Sequence, residues 1–161
     1  MNWHELWTAS ERYAEGKPAL PHDAAPSWKL AIVTCMDARI DPVAVFGLHL
    51  GQAHVMRNAG GRVSDDVIRS LAVSQGALGT RAVLVMMHTR CGMLGLDPVS
   101  LRAPRPGAEP LDFLPLVSLE SDLRADLAKI RESAWIYPDT ALAGCIFDVD
   151  TGRVIPLASH G

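Results

Sequence analysis

Residues 30–39, Leu30-Ala-Ile-Val-Thr-Cys-Met-Asp-Ala-Arg39, join an apolar run to a cluster of thiol and charged side chains. A second run, Ala82-Val-Leu-Val-Met-Met87, leads in the same way into His88-Thr-Arg-Cys91. Short apolar runs rich in β-branched residues are typical of buried strands. Functional sites of open α/β sheets form beyond the carboxyl ends of parallel strands. The two stretches therefore predict neighbouring parallel strands that carry one site.

The rest of the chain alternates between strand-like and helix-like patterns. Further strand candidates are residues 53–56 and 142–149, and helical periodicity covers residues 41–48, 64–78 and 120–135. A turn at Asp150-Thr-Gly-Arg153 predicts a return through Val154-Ile155 as an antiparallel edge strand. Apolar strands that alternate with helices are typical of a mostly parallel β-sheet flanked by helices. We therefore predict an α/β fold in a single domain.

The N-terminal 27 residues predict a helical arm followed by a connector. Residues 2–16 place Trp3, Leu6 and Trp7 near one helical face, and the proline-containing residues 17–27 favour an extended connector. Two tryptophans on a short helix need an apolar partner. The residues alone leave open whether that partner is another subunit or the arm's own domain. The predicted boundaries are 1–27 for the arm and connector and 28–161 for the α/β domain.

Composition excludes several classes of protein. Of the 161 residues, 48% are hydrophobic and 20% are charged, as in ordinary globular proteins and unlike disordered or fibrous chains. The net charge of −3 favours neither nucleic acid nor an anionic membrane as a partner. The longest apolar run is far shorter than the ~20 residues that span a bilayer. Three cysteines cannot all pair within one chain, and the charged N-terminus is unlike a signal peptide, so we expect reduced thiols and a cytoplasmic location.

The two strand ends carry a candidate metal site. Cys35 follows the first strand, and His88 and Cys91 follow the other, so adjacent parallel strands would bring two thiolates and one imidazole together. Three protein ligands with one open tetrahedral position are typical of a catalytic zinc site, whereas structural zinc sites usually have four. Cys145 lies inside a strand without suitable polar neighbours and is predicted to belong to the core.

Asp37 and Arg39 extend this candidate site. Residues i and i+2 of an extended segment project to the same side, which places the Asp37 side chain near that of Cys35. Arg39 can hold the carboxylate through a bidentate ion pair. Beside a metal ligand, such a pair indicates a role in catalysis rather than an ordinary surface contact.

These motifs resemble those of the β-class carbonic anhydrases, and most closely the short bacterial members. The resemblance is carried by paired motifs, Cys-x-Asp-x-Arg at residues 35–39 and His-x-x-Cys at 88–91, and is close over residues 28–95. It extends through Gly51–Gly61 and Asp65–Leu71 and more loosely to Phe147–Gly152.

The resemblance implies a zinc-dependent lyase that converts carbon dioxide and water reversibly to bicarbonate and a proton. Cys35, His88 and Cys91 match the family's zinc ligands, and Asp37 matches the aspartate that either takes the fourth zinc position or pairs with Arg39. We expect Asp37 and Arg39 to be catalytic, and the backbone N–H of Gly92 to bind substrate. The resemblance also implies a homo-oligomer, a dimer or a tetramer, with the N-terminal helix reaching onto a neighbour.

Two alternatives remain open from the sequence. Carbonyl sulfide and carbon disulfide are also linear and apolar, and a pocket of the same fold could hydrolyse them instead. A non-catalytic zinc-binding or redox protein is the second alternative, against which the Asp37–Arg39 pair argues. The sequence departs from close relatives at Arg90, beside the ligand loop, and in the proline-rich residues 98–115.

Overall fold

The computed structural model describes residues 2–16, 21, 23–101 and 111–160, and in the last strand the side chains only as far as residue 157. Residues 17–20 and 22 of the predicted connector lie outside the described residues. So do Pro104, Pro106 and Pro110 of the proline-rich stretch. None of the helices in the described part of the chain is both long and apolar enough to cross a bilayer.

Five strands form one sheet with the order β2-β1-β3-β4-β5. The strands are β1 (Leu30–Cys35), β2 (Ala53–Asn58), β3 (Ala82–His88), β4 (Ala141–Phe147) and β5 (Val154–His160). Pairing is parallel from β2 through β4, and β5 is antiparallel to β4. This confirms the predicted α/β fold with its antiparallel edge strand.

The described residues form four α-helices beside the sheet: α1 (Trp3–Gly16), α2 (Pro42–Val45), α3 (Asp65–Gly76) and α4 (Leu119–Glu132). Asp41 caps α2, because its Oδ1 accepts hydrogen bonds from the backbone N–H groups of Val43 and Ala44 at 3.0 and 3.2 Å. The prediction that this helix runs to residue 48 is wrong. The chain leaves the helix after Val45 and passes through Gly47 at a φ of +61°, a left-handed conformation that ends helices.

The core lies between the sheet and its helices. Ala31 and Val33 of β1, Val85 of β3 and Leu71 of α3 are completely buried. Helix α4 lies very close to β4, since a Cβ added at Gly144 would come within 2.8 Å of Leu127 Cδ1. Cys145 is buried in the same strand, as predicted.

Helix α1 is the exception to this packing. It has no buried residue, and the side chains of Trp3 and Trp7 are 60% and 61% exposed. The two indole rings stack on each other with their centroids 6.2 Å apart. The apolar face of the helix is therefore uncovered within the described part of this chain.

Candidate metal centre

Strand pairing brings the predicted ligands together. Thr34 of β1 pairs with Met86 of β3, so Cys35 and His88 emerge at the same edge of the sheet, and Cys91 lies in the loop that follows β3. The ligand atoms of Cys35, His88 and Cys91 all lie within 4.8 Å of one another, and all three residues are buried. The two sulfur atoms are 4.0 Å apart. Tetrahedral zinc with Zn–S bonds of about 2.3 Å separates two sulfurs by about 3.8 Å, so the cluster fits zinc.

The imidazole of His88 is oriented for a metal. Its Nδ1 lies 2.8 Å from the carbonyl oxygen of Thr89, and because a carbonyl only accepts, Nδ1 carries the ring proton. Nε2 is buried and has no hydrogen-bond partner among the described residues. A buried acceptor without a partner is costly, and a metal ion bound by Nε2 and the two sulfurs would remove that cost.

Protonation of the ligands responds to their mutual contacts. Burial opposes ionisation of Cys35, but the neighbouring imidazole of His88 and hydrogen bonds from the backbone N–H groups of Asp37 and Gly60 lower its pKa to about 7. Burial raises the pKa of Cys91, and the neighbouring Cys35 adds to that effect. Burial on its own lowers the pKa of His88, but the contact with Cys35 outweighs it and the pKa is raised.

These shifts predict that zinc binding weakens as the pH falls. The Cys91 thiol, whose pKa is raised above its usual range, holds its proton near neutral pH, and Cys35 takes up a proton as the pH falls through about 7. Zinc must displace these protons, so its affinity should rise by about tenfold or more for each pH unit between 7 and 8. Competition with a chromophoric chelator from pH 6 to pH 9 measures this slope. A zinc affinity independent of pH would contradict it.

The Asp37 carboxylate lies beside the cluster and is held by Arg39. Arg39 donates from Nε to Oδ1 at 2.9 Å and from Nη2 to Oδ2 at 2.7 Å, and its backbone N–H also donates to Oδ1. Asp37 Oδ2 is 3.8 Å from Nε2 of His88. The hydrogen bonds from Arg39 hold the pKa of Asp37 well below its usual range. The structure thus provides an ionised carboxylate at the mouth of the three-ligand cluster.

Two other residues of the ligand loop are placed at the surface. Arg90 adopts a φ of +52°, and its Nε lies 3.0 Å from Oδ2 of Asp150 in the turn between β4 and β5. The charge of Arg90 is therefore paired with Asp150 and not with a residue of the ligand cluster. The carbonyl oxygen of Arg90 accepts a hydrogen bond from Arg39. Gly92 is exposed, immediately after Cys91.

Sequence reasoning gave no role to two residues that contact the ligand segment. Arg57 of β2 donates to the carbonyl oxygens of Cys35 and Asp37. Gly61, in a short turn at residues 59–61, has a φ of +66°, and a Cβ there would meet the backbone nitrogen of Cys35 at 2.8 Å. Both residues belong to the stretch Gly51–Gly61, which carries part of the family resemblance. That resemblance was the one feature of the sequence that could have pointed to a role for them.

His54 lies apart from the cluster and has its own partners. Its Nδ1 is 2.7 Å from Ser74 Oγ, and its Nε2 is 2.9 Å from the carbonyl oxygen of Ala24. These contacts tie the end of the connector to β2 and α3. His54 is therefore a hydrogen-bonded structural residue.

Comparison with known proteins gives consistent matches. A family model described as carbonic anhydrase matches residues 30–104. Beta-carbonic anhydrase 1 of Mycobacterium tuberculosis is 42% identical over 150 aligned residues, which cover 88% of this chain and 89% of that protein. The crystal structure of a carbonic anhydrase from Streptococcus mutans aligns with a TM-score of 0.85 and 37% identity, covering 98% of this chain and 99% of that one. A carbon disulfide hydrolase of Saccharolobus solfataricus is 44% identical over 66 residues, covering 41% of this chain and 32% of that protein.

Proposed function

Since the chain belongs to the β-class carbonic anhydrase family, we propose that it is a zinc-dependent lyase that hydrates carbon dioxide reversibly to bicarbonate and a proton. The observation that carries this proposal is the ionised Asp37 carboxylate, fixed by Arg39 at 3.8 Å from Nε2 of His88. A purely structural metal site does not need an ionised carboxylate that an arginine holds beside its three ligands.

Cys35, His88 and Cys91 would hold the zinc ion and leave one tetrahedral position open. Zinc bound there would supply Lewis acidity that makes hydroxide available, at a higher pH than in three-histidine sites because two thiolates cancel its charge of +2. In a second state, Asp37 would itself complete the ligand set after release from Arg39.

Asp37 would orient the nucleophile. An ionised carboxylate only accepts hydrogen bonds, so Asp37 would accept one from the attacking oxygen and turn a lone pair of that oxygen toward the carbon of carbon dioxide. Arg39 binds both carboxylate oxygens, which keeps Asp37 ionised and fixes its plane. The backbone N–H of Gly92 would donate to an oxygen of the forming bicarbonate.

Initial rates with carbon dioxide, carbonyl sulfide and carbon disulfide test this proposal. The zinc-loaded protein should act faster on carbon dioxide than on the other two substrates. Protein from which a chelator has removed the zinc should show no activity. Faster hydrolysis of carbon disulfide would favour the activity named for the Saccharolobus relative. No turnover of any of the three by fully loaded protein would indicate a non-catalytic zinc protein.

The location proposed for the enzyme is the cytoplasm. Cys35 and Cys91 must be reduced to bind zinc, and all three cysteines are free. A reducing compartment keeps such thiols available.

The proposed assembly is a homodimer, or a tetramer built from two such dimers, in which α1 crosses to a second copy. An apolar groove of about 970 Å³ lies between α3 and α4, lined by residues that include Ile68, Ala72 and Ala128. Trp135 at its edge is 77% exposed. Within the described residues both the apolar face of α1 and this groove are uncovered. They are complementary in chemistry, and a second copy of the chain supplies both. One arm in each groove would give a closed two-fold assembly.

Disrupting the arm should dissociate the dimer. Trp7→Glu places a charge on the apolar face of α1, so sedimentation at micromolar concentration should show a smaller species than the wild type. Deletion of residues 1–16 should have the same effect. Arg12→Glu, on the opposite side of α1, is the matched control and should leave the assembly intact. A wild-type protein that is a folded, active monomer under these conditions would refute the crossing arm.

A further inference from the structure

Arg57 contacts the ligand segment from the neighbouring strand. It lies near the end of β2, where its Nε donates to the carbonyl oxygen of Cys35 at 3.0 Å and its Nη2 donates to the carbonyl oxygen of Asp37 at 2.7 Å. Among the ion pairs of the described residues, none involves Arg57. Its guanidinium therefore serves two backbone carbonyls rather than a carboxylate.

The segment that Arg57 contacts lies where the chain leaves the sheet, and its other backbone hydrogen bonds are few. Strand β1 ends at Cys35, and the backbone N–H of Met36 makes the last β1–β2 hydrogen bond, to Asn58 at 2.8 Å. The side chain of Met36 is 65% exposed, so packing does not fix this residue. Beyond it the chain forms a turn at residues 38–39, in which the backbone N–H of Ile40 donates to the carbonyl oxygen of Asp37 at 3.1 Å. Arg57 is the side chain that links this turn back to β2.

Bridging two carbonyls fixes the conformation of the residue between them. Carbonyl groups of residues i and i+2 point to the same side when the backbone is extended, and so do the side chains of those residues. A planar guanidinium that binds both carbonyls through adjacent N–H groups thus holds Met36 extended. The side chains of Cys35 and Asp37 then remain on one side, with the carboxylate beside the metal cluster.

We propose that Arg57 is a positioning residue, which holds the backbone of residues 35–37 so that the Asp37 carboxylate lies at the open side of the ligand cluster. Two arginines then fix Asp37, one through its side chain and one through its backbone. Arg39 binds the carboxylate oxygens, and Arg57 binds the backbone on which the carboxylate is carried. The catalytic part of this inference rests on the proposed function, since it assumes that Asp37 orients the nucleophile.

Arg57→Ala and Arg57→Lys, loaded with zinc in the full chain, test this role. Arg57→Ala should still bind one zinc per chain, because the three ligands are intact, but its kcat/KM for carbon dioxide should fall about 10- to 100-fold, as expected for a misplaced catalytic group. Arg57→Lys should recover only part of the loss, because an ammonium cannot form the planar two-point contact. Arg131→Ala removes an exposed arginine in the last turn of α4, outside the groove, and is the matched control, expected at wild-type activity.

A double-mutant cycle separates positioning from general stabilisation. If Arg57 acts through Asp37, Arg57→Ala should change the rate by less than about twofold in an Asp37→Asn background, because coupled residues are not additive. If the rate losses of Arg57→Ala and Asp37→Asn multiplied in the double variant, the proposal would be overturned. It would also be overturned if Arg57→Ala kept full activity or lost its zinc.

Crystal structures of zinc-loaded wild type and Arg57→Ala give a readout that does not depend on activity. The Asp37 carboxylate should move away from His88 in the variant, and an unmoved carboxylate would overturn the proposal. Should the wild type prove inactive, the proposed function would fail, and the position of Asp37 in these structures would still decide the role of Arg57.

Discussion

His88→Ala should lose stoichiometric zinc and, with it, much of the protein's stability. His88 supplies the nitrogen of the cluster, and its buried Nε2 lacks another partner among the described residues. Two thiolates alone cannot complete the ligand set, so affinity should drop by several orders of magnitude. Since metal binding is coupled to folding, with about 10–16 kcal/mol available in small structural zinc proteins, the melting temperature should fall as well.

Metal analysis of purified wild type and variant, together with thermal unfolding, measures both effects. His49→Ala is the matched control, because His49 is exposed and its side chain lies outside the ligand cluster. The control should keep one zinc per chain and the wild-type melting temperature. Full zinc occupancy in His88→Ala would show that the ligand assignment is wrong.

Asp37→Asn should keep the metal and lose most of the rate. The amide has nearly the same shape as the carboxylate but no charge, and its NH₂ group cannot accept a hydrogen bond from the attacking oxygen. The substitution also removes the bidentate ion pair between residue 37 and Arg39. We expect kcat for carbon dioxide hydration to fall about 100-fold or more, within the range that positioned proton-handling groups contribute.

Stopped-flow rates from pH 6 to pH 9 test this prediction together with its pH dependence. The pKa of Asp37 is held low by Arg39, so the carboxylate stays ionised over this whole range and does not itself produce a pH profile. Wild-type activity should instead rise with pH above neutral, since hydroxide becomes available only there. Asp66→Asn, on the exposed surface of α3, is the control. A flat wild-type profile, or an Asp37→Asn variant near full activity, would refute the role given to Asp37.

The ligand cluster was accessible from the sequence because its signals are local. Cys35 and His88 each end an apolar run, and parallel strands place such ends at one edge of the sheet. The Asp37–Arg39 pair is similarly local, spanning only two positions along the chain.

Contacts between distant segments were not accessible in this way. Arg57 reaches Cys35 across two strands, and which atoms it binds depends on the register of Thr34 with Arg57. The partner of Arg90 required knowing that the turn carrying Asp150 lies beside the ligand loop. The extent of α2 was overestimated because apolar periodicity continued past Val45, while the conformation of Gly47 was not visible in that pattern.

The turn at residues 59–61 limits how this centre can be redesigned. Gly61 leaves no room for even a methyl group against the backbone of Thr34 and Cys35, and its positive φ disfavours every other amino acid. Directed evolution that randomises the surroundings of the cluster should therefore return glycine at this position whatever chemistry is selected. Randomisation should instead target neighbouring positions such as Gly92, where an added Cβ meets no atom within 4 Å.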